Sequence, residues 1–183
     1  MTDQNDIEIL AEQIRLRTEN FFGVHGLCCS EAIMYVINKG LSGGLDDETV
    51  LKIGNGFCGG MGGGEGTCGA LTGAVSVMGL FLSPHCKKGL SKKKARLATK
   101  ELQDRFKEKL ASISCNDLTQ EFLNQRKARV KNCQKITGIG AEISATIILK
   151  NRPDLIDQAD RIFLAKNDSK LKALAGKFCS LLS

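Results

Sequence analysis

Between Gly59 and Gly66 the chain reads Gly-Gly-Met-Gly-Gly-Gly-Glu-Gly, and this block constrains the fold more than any other stretch. Six of its eight positions lack a Cβ. Such a backbone reaches positive φ without steric cost and lets other groups approach it closely. Its helix propensity is too low for a stable helix, so a shaped loop is expected. The opposite composition follows at once. Cys68 to Leu82 is the longest apolar run, about 15 residues, short of the ~20 that a membrane-spanning helix needs. Thr67 is expected to cap a helix here, and Ser83-Pro84 to stop it. A helix apolar on every side belongs in the centre of a protein. Gly69, Ala70, Gly73 and Ala74 give its first half a small-residue surface for a close neighbour.

Helical periods surround this centre. Ile7, Leu10, Ile14, Phe21 and Phe22 mark a helix over 6–22, ended by Gly23 and Gly26. Ala32, Ile33, Val36 and Ile37 mark a second over 29–39, and Asp46 or Asp47 caps a short third one. Residues 91–111 read as a long amphipathic helix with Leu97, Leu102, Phe106 and Leu110 on its apolar side. Ser114-Cys115-Asn116-Asp117 resembles a capping box. Asn132-Cys133 is expected to open the next helix, through Ile143, Ile147 and Ile148. Two tail helices are expected at 153–165 and 168–181. No segment shows a strand period, and the chain has only two prolines and no tryptophan. The expected class is all-α: a helical bundle with a central buried helix and a glycine-rich loop. Residues 1–150 form its cysteine-rich domain and 151–183 a helical extension packed on it.

Net charge is +6, with the basic excess between Lys87 and Lys109. Those cations alternate with apolar residues at helical spacing and lack interleaved aromatics, so a solvated helix face is expected rather than nucleic-acid contact. The polar, acidic N-terminus carries no basic and apolar leader pattern, so neither secretion nor a membrane is expected and the location is read as cytoplasmic.

Eight cysteines is a high number for such a chain. Structural disulfides are not expected in a reducing compartment, so the thiols are buried, metal-binding or redox-active. Cys29, Cys68, Cys115 and Cys133 each fall near an expected helix start. Unpaired amides and the helix dipole there favour thiolate over thiol and can bring a cysteine pKa from ~8.5 into the range ~3.5–7.5. The opposing reading is four inert core cysteines, but a glycine loop abutting Cys68 gives access that a sealed core would not.

These residues carry a family resemblance. Cys29-Ser30-Glu31-Ala32-Ile33, the glycines from Gly56 to Gly66 and Cys68-Gly69-Ala70-Leu71-Thr72-Gly73-Ala74 are similar to the redox-active protein family named for its C_GCAxxG_C_C signature. Phe106-Lys107, Ser114-Cys115 and Cys133 extend the resemblance, which spans 27–149. It implies a helical protein with a thiol redox role and functional positions at Cys29, Cys68, Cys115 and Cys133. Cys28 and Cys58 depart from the pattern, standing where a polar residue and a glycine are expected, and Cys86 and Cys179 are additional.

The expected function is therefore thiol–disulfide exchange, with Cys29 or Cys68 attacking, the other or Cys115 resolving, and a redox protein or small thiol as partner. One alternative is zinc or an iron–sulfur cluster held by the same four thiolates. The other is a non-catalytic helical interaction module with buried cysteines. His25 and His85 lie close to Cys28 and Cys86 but make only half-sites for zinc. Thr67 and Cys68, at a helix start beside glycines, could hold a small anion. No Cys-x-x-Cys occurs, which excludes a thioredoxin-type site.

Overall fold

The structure, a computed structural model, describes residues 4–169. Helix α1, Gln4–Asn20, buries Ile7, Leu10, Ala11 and Ile14 along one stripe and runs on into a single π-helical turn, Phe21–His25. Gly26 closes that turn at φ 76°, a left-handed conformation that glycine adopts without penalty. Helix α2, Cys29–Gly40, follows with Cys28 at its N-cap. Helix α3, Asp47–Asn55, is capped by Asp46, whose carboxylate accepts from the Thr49 amide at 2.9 Å. Helix α4, Cys58–Met61, is one turn long and opens the glycine block.

Helix α5, Gly69–Leu82, lies at the centre, against α2 and two later helices, α6, Lys92–Leu110, capped by Ser91, and α8, Arg126–Asn151. Between these two, α7, Cys115–Thr119, capped by Ser114, packs on α4 and α8. Two further turns, α9 Leu155–Gln158 and α10 Arg161–Ala165, lie against α1. The architecture is an all-α bundle. Among the described residues the sole β-type pairing is an isolated antiparallel bridge between Thr67 and Ser114.

The small residues of α5 act as the sequence implies. A Cβ on Gly73 would stand 2.8 Å from the Ser30 Cα, so α2 crosses α5 almost backbone to backbone. On α8, a Cβ on Gly140 would stand 2.9 Å from the Ala70 carbonyl oxygen. Forcing one methylene into packing this tight costs about 1–3 kcal/mol. The three helices that carry Cys29, Cys68 and Cys133 are thereby drawn together. One edge of α5 does reach the surface, at Val75 and Gly79.

Several expectations need correction. Asn132-Cys133 does not open a helix, because α8 starts at Arg126 and passes straight through Gly138 and Gly140. Those glycines cost helix propensity but admit Glu19 of α1 and Ala70 of α5, and the tertiary contact wins. Thr67 does not cap α5: it sits in the bridge to Ser114, and Cys68 is the N-cap. The glycine block is not loop throughout, since its first residues form the α4 turn, with Gly59 and Gly60 left-handed at φ 63° and 69°. Leu97 is exposed, and Ala98 faces inward with Leu102 and Phe106. The expected helix over 153–165 is the two separate turns α9 and α10. The helix expected at 168–181 lies outside the described residues from 170 onward, and so does Cys179. Among the described residues no helix is long and apolar enough to cross a membrane.

After α10 the chain is tied down by charge. Arg17, only 4% exposed, donates to the Lys166 carbonyl at 2.9 Å and to Asp168 at 2.8 Å, and lies over the rings of Phe21 and Phe163. His25 reaches the same Asp168 carboxylate at 2.9 Å.

Candidate functional site

Two backbone hydrogen bonds build the inner part of the site. The Cys68 amide donates to the Ile113 carbonyl at 2.8 Å, and the Cys115 amide donates to the Gly66 carbonyl at 3.0 Å. This short antiparallel pairing sets the start of α5 beside the start of α7 and places Cys68 next to Cys115. The glycine block wraps over them. A Cβ on Gly60 would stand 2.6 Å from the Cys115 Cβ and 3.3 Å from its sulfur. A Cβ on Gly69 would collide with the Cys29 sulfur and meet the Phe57 carbonyl at 2.8 Å. The glycines are therefore needed where the cysteines press against them. The outer side of the block is open, with Gly59, Gly62, Gly63 and Glu65 exposed and Met61 55% exposed.

Cys29, Cys68, Cys115 and Cys133 are all free thiols, and the structure brings them within electrostatic reach of one another. Cys29 is the first residue of α2, Cys68 the N-cap of α5 and Cys115 the first residue of α7. Cys133 lies about two turns inside α8. Cys68 and Cys115 are buried, while Cys29 and Cys133 are partly exposed.

The expected lowering of their pKa values does not occur. Burial pushes Cys68 up to about 12, against the opposing amides of Ala70 and Leu71 and with added repulsion from Cys29 and Cys115. Burial also pushes Cys133 up to about 11, aided by Cys29 and Cys115 and opposed by Arg129. Cys29 is raised by burial, although the Gly59 and Ser30 backbones favour its charged form. Cys115 is raised by burial, with Arg129 acting the other way. At Cys29, Cys68 and Cys115 removing water from the charged sulfur outweighs the helix end, while Cys133, inside α8, has no helix end to favour its charge. The four are thiols, not thiolates, at neutral pH.

The bond that forms is elsewhere. Cys28 and Cys58, the two departures from the family pattern, are joined in a disulfide with Cα atoms 5.8 Å apart. The separation falls within the usual bridging range, and the bridge joins two cysteines outside the four family positions expected to carry the exchange. Both residues are partly exposed. Cys28 caps α2, and its amide donates to the Glu31 carboxylate at 2.9 Å. The other Glu31 oxygen accepts from Asn55 at 2.9 Å. The Ser30 hydroxyl, fully buried, lies 3.3 Å from the Cys28 sulfur and 3.5 Å from that of Cys58, and donates to the Gly54 carbonyl at 2.6 Å. Cys29 follows Cys28 in the chain, and the Gly59 backbone that follows Cys58 hydrogen-bonds to Cys29. The bridge thus lies at the edge of the thiol group.

One trio of possible metal ligands has its donor atoms within 4.8 Å of one another among the described residues: Cys28, Glu31 and Cys58. That set differs from the four family thiols expected to hold zinc or a cluster. His25 is taken up by Asp168 and stacks on Phe21 at 4.4 Å. Cys86 stands apart from the site, its thiol donating to the Leu80 carbonyl at 3.0 Å.

A helical bundle with a disulfide and four converging thiols beneath a glycine segment defines a cysteine-based redox class. The model of the family described as "Putative redox-active protein (C_GCAxxG_C_C)" matches residues 27–147. The chain belongs to that family. No curated protein and no solved structure matches it.

Proposed function

We propose that the protein exchanges electrons with a dithiol partner through the Cys28–Cys58 disulfide, and that Cys29, Cys68, Cys115 and Cys133 act behind it as a second, inner set of redox thiols. The observation that carries this reading is the bridge itself, partly exposed and joined at both ends to one family cysteine: Cys29 follows Cys28 in the chain, and the Gly59 backbone after Cys58 bonds to Cys29. The partner is a redox protein or a small dithiol, and in the cytoplasm a disulfide of this kind is transient rather than structural.

The exchange runs in two steps. A partner thiolate attacks the Cys58 sulfur, the Cys28–Cys58 bond breaks, and Cys28 leaves as a thiolate at the start of α2, where unpaired amides stabilise the charge. The second partner thiol then attacks the mixed disulfide. It frees Cys58, and the partner departs as a disulfide. Two electrons have passed to the protein, and two protons end on Cys28 and Cys58. Internal transfer follows the same logic in reverse order of depth. Cys29 takes the partner's place in the first step, and Cys68 or Cys115 resolves the bond it forms. High thiol pKa values in the inner set slow that step and keep those thiols reduced until the glycine segment opens.

The test is a timed reduction of the oxidised protein with limiting dithiol, quenched by alkylation and mapped by mass. Cys28 and Cys58 should label together and first. The reading fails if they remain bridged under excess dithiol in the native fold, or if they label independently of each other.

Zinc or an iron–sulfur cluster on Cys29, Cys68, Cys115 and Cys133 is the competing use of the inner thiols. Metal analysis of anaerobically purified protein separates the two: stoichiometric iron or zinc that survives Cys58→Ser favours the cluster.

A further inference from the structure

We propose that Cys28, Glu31 and Cys58 form a redox-gated site for a borderline-soft divalent cation, zinc in particular, open only when their disulfide is reduced. The inference rests on the reading above that this bridge opens and closes. It assigns the site a second ligand and a switch.

The three donors come from two elements that the fold has already fixed. Cys28 and Glu31 stand at the N-cap and third position of α2. Cys58 begins α4. Their donor atoms lie within 4.8 Å of one another. Glu31 needs no reorganisation to serve, because Cys28 and Asn55 each bind one of its oxygens and hold the carboxylate in place. Each oxygen retains a lone pair. Such outer hydrogen bonds are what orient a metal-bound carboxylate.

Two thiolates and a carboxylate suit zinc by chemistry. Zinc takes sulfur at ~2.3 Å and oxygen at ~2.0–2.2 Å in a tetrahedron. Two sulfurs on one such ion are then about 3.8 Å apart. Cysteines whose Cα atoms are 5.8 Å apart meet that spacing by side-chain rotation alone. Three protein ligands leave the fourth position for water, since the site faces solvent on one side. Calcium and magnesium prefer an all-oxygen shell and are disfavoured here.

The gate follows from electron counting. In the disulfide neither sulfur carries the charge that zinc requires. A dithiol reduces the bridge, leaving as its own disulfide and delivering two electrons and two protons. Zinc then displaces both protons from the thiols to solvent and binds the thiolates and Glu31. A partner disulfide takes the two electrons and leaves as its dithiol, which re-forms the Cys28–Cys58 bridge and releases the ion. Bound zinc in turn protects the thiols from reoxidation, so the ion and the oxidant compete for one pair of sulfurs.

The probe is zinc ion alone, added to full-length protein and read by competition with a colorimetric chelator. Reduced protein should take up one equivalent, and disulfide-bonded protein none at the same site. Glu31→Gln, which keeps the size and the acceptor for Cys28, should weaken uptake by at least about tenfold. Cys58→Ser should abolish it. A measurement on the unaltered protein guards against misfolded variants: zinc should shield Cys28 and Cys58 from maleimide while Cys86 still labels. The inference is overturned if the bridge is shown open by mass and no zinc binds, an outcome that leaves the redox reading intact. It is equally overturned if zinc binds with unchanged affinity in Cys58→Ser. If dithiol cannot open the bridge at all, the redox reading fails with it.

Discussion

Cys68→Ser tests the claim that burial, not the helix end, governs the site thiols. Cys68 caps α5 and is 6% exposed. Serine is a natural N-cap, so the variant should fold with the same helix start. Cys68 has its pKa pushed up from the ordinary 9.0 to about 12. A raised folded-state value means that stability from the protonated form is complete below the unfolded pKa and is lost as pH rises through the window from 9 to 12. One pH unit into that window, near pH 10, the loss is on the order of 1 kcal/mol, and it grows to a few kcal/mol toward the upper end. Urea unfolding of wild type and variant at neutral pH and near pH 10 reads the difference directly. The wild type should lose on the order of 1 kcal/mol more than Cys68→Ser over that step. Raised pKa values at Cys29, Cys115 and Cys133 are common to both proteins and cancel to first order. Equal losses in the two proteins, or a thiolate absorbance for Cys68 with its midpoint at or below the ordinary value, would refute the reasoning.

Other perturbations probe the same architecture. Gly69→Ala drives a methyl into the Cys29 sulfur and the Phe57 carbonyl, and should lower unfolding free energy by about 1–3 kcal/mol. Gly63→Ala, which meets nothing within 4 Å, should stay within about 0.5 kcal/mol of wild type in the same denaturation assay. Native alkylation with maleimide should label Cys86 well before Cys68 and Cys115, and simultaneous labelling would show that the glycine segment does not protect them. Arg17→Met removes the guanidinium from Asp168, which is partly exposed and keeps His25, and should cost about 1–3 kcal/mol, measured by urea unfolding. Burial raises the Asp168 pKa, but His25 and Arg17 outweigh it and hold the carboxyl below its usual range. Its contribution to stability is therefore present above the unfolded value of 3.8 and is lost as pH falls through the lower folded value. Thermal melts of Asp168→Asn should show less acid dependence than wild type.

The helical class was legible because periodicity and caps are local properties. Asp46, Ser91 and Ser114 cap the helices the sequence assigns to them or lie within a residue of the expected start. The small face of α5 also announced itself in residue type alone, since only glycine and alanine permit helices to approach so closely. The family positions Cys29, Cys68, Cys115 and Cys133 could be picked out by their motif. What one-dimensional spacing does not carry is distance through space and access to water. Cys28 and Cys58 are thirty residues apart in sequence and become partners only because the α2–α3 packing folds them onto one another. Their signal was present in a different form, as two simultaneous departures from one family pattern.

The sequence by itself determined the all-α class, the buried helix at its centre, the glycine segment and the family cysteines. Each follows from local propensity, from hydrophobic period or from motif. Tertiary structure alone decided which sulfurs bond, that Cys133 lies inside α8 rather than at its start, and that the site thiols hold their protons. Those outcomes depend on which groups share a desolvated space, and desolvation is a property of the packed chain rather than of any segment within it.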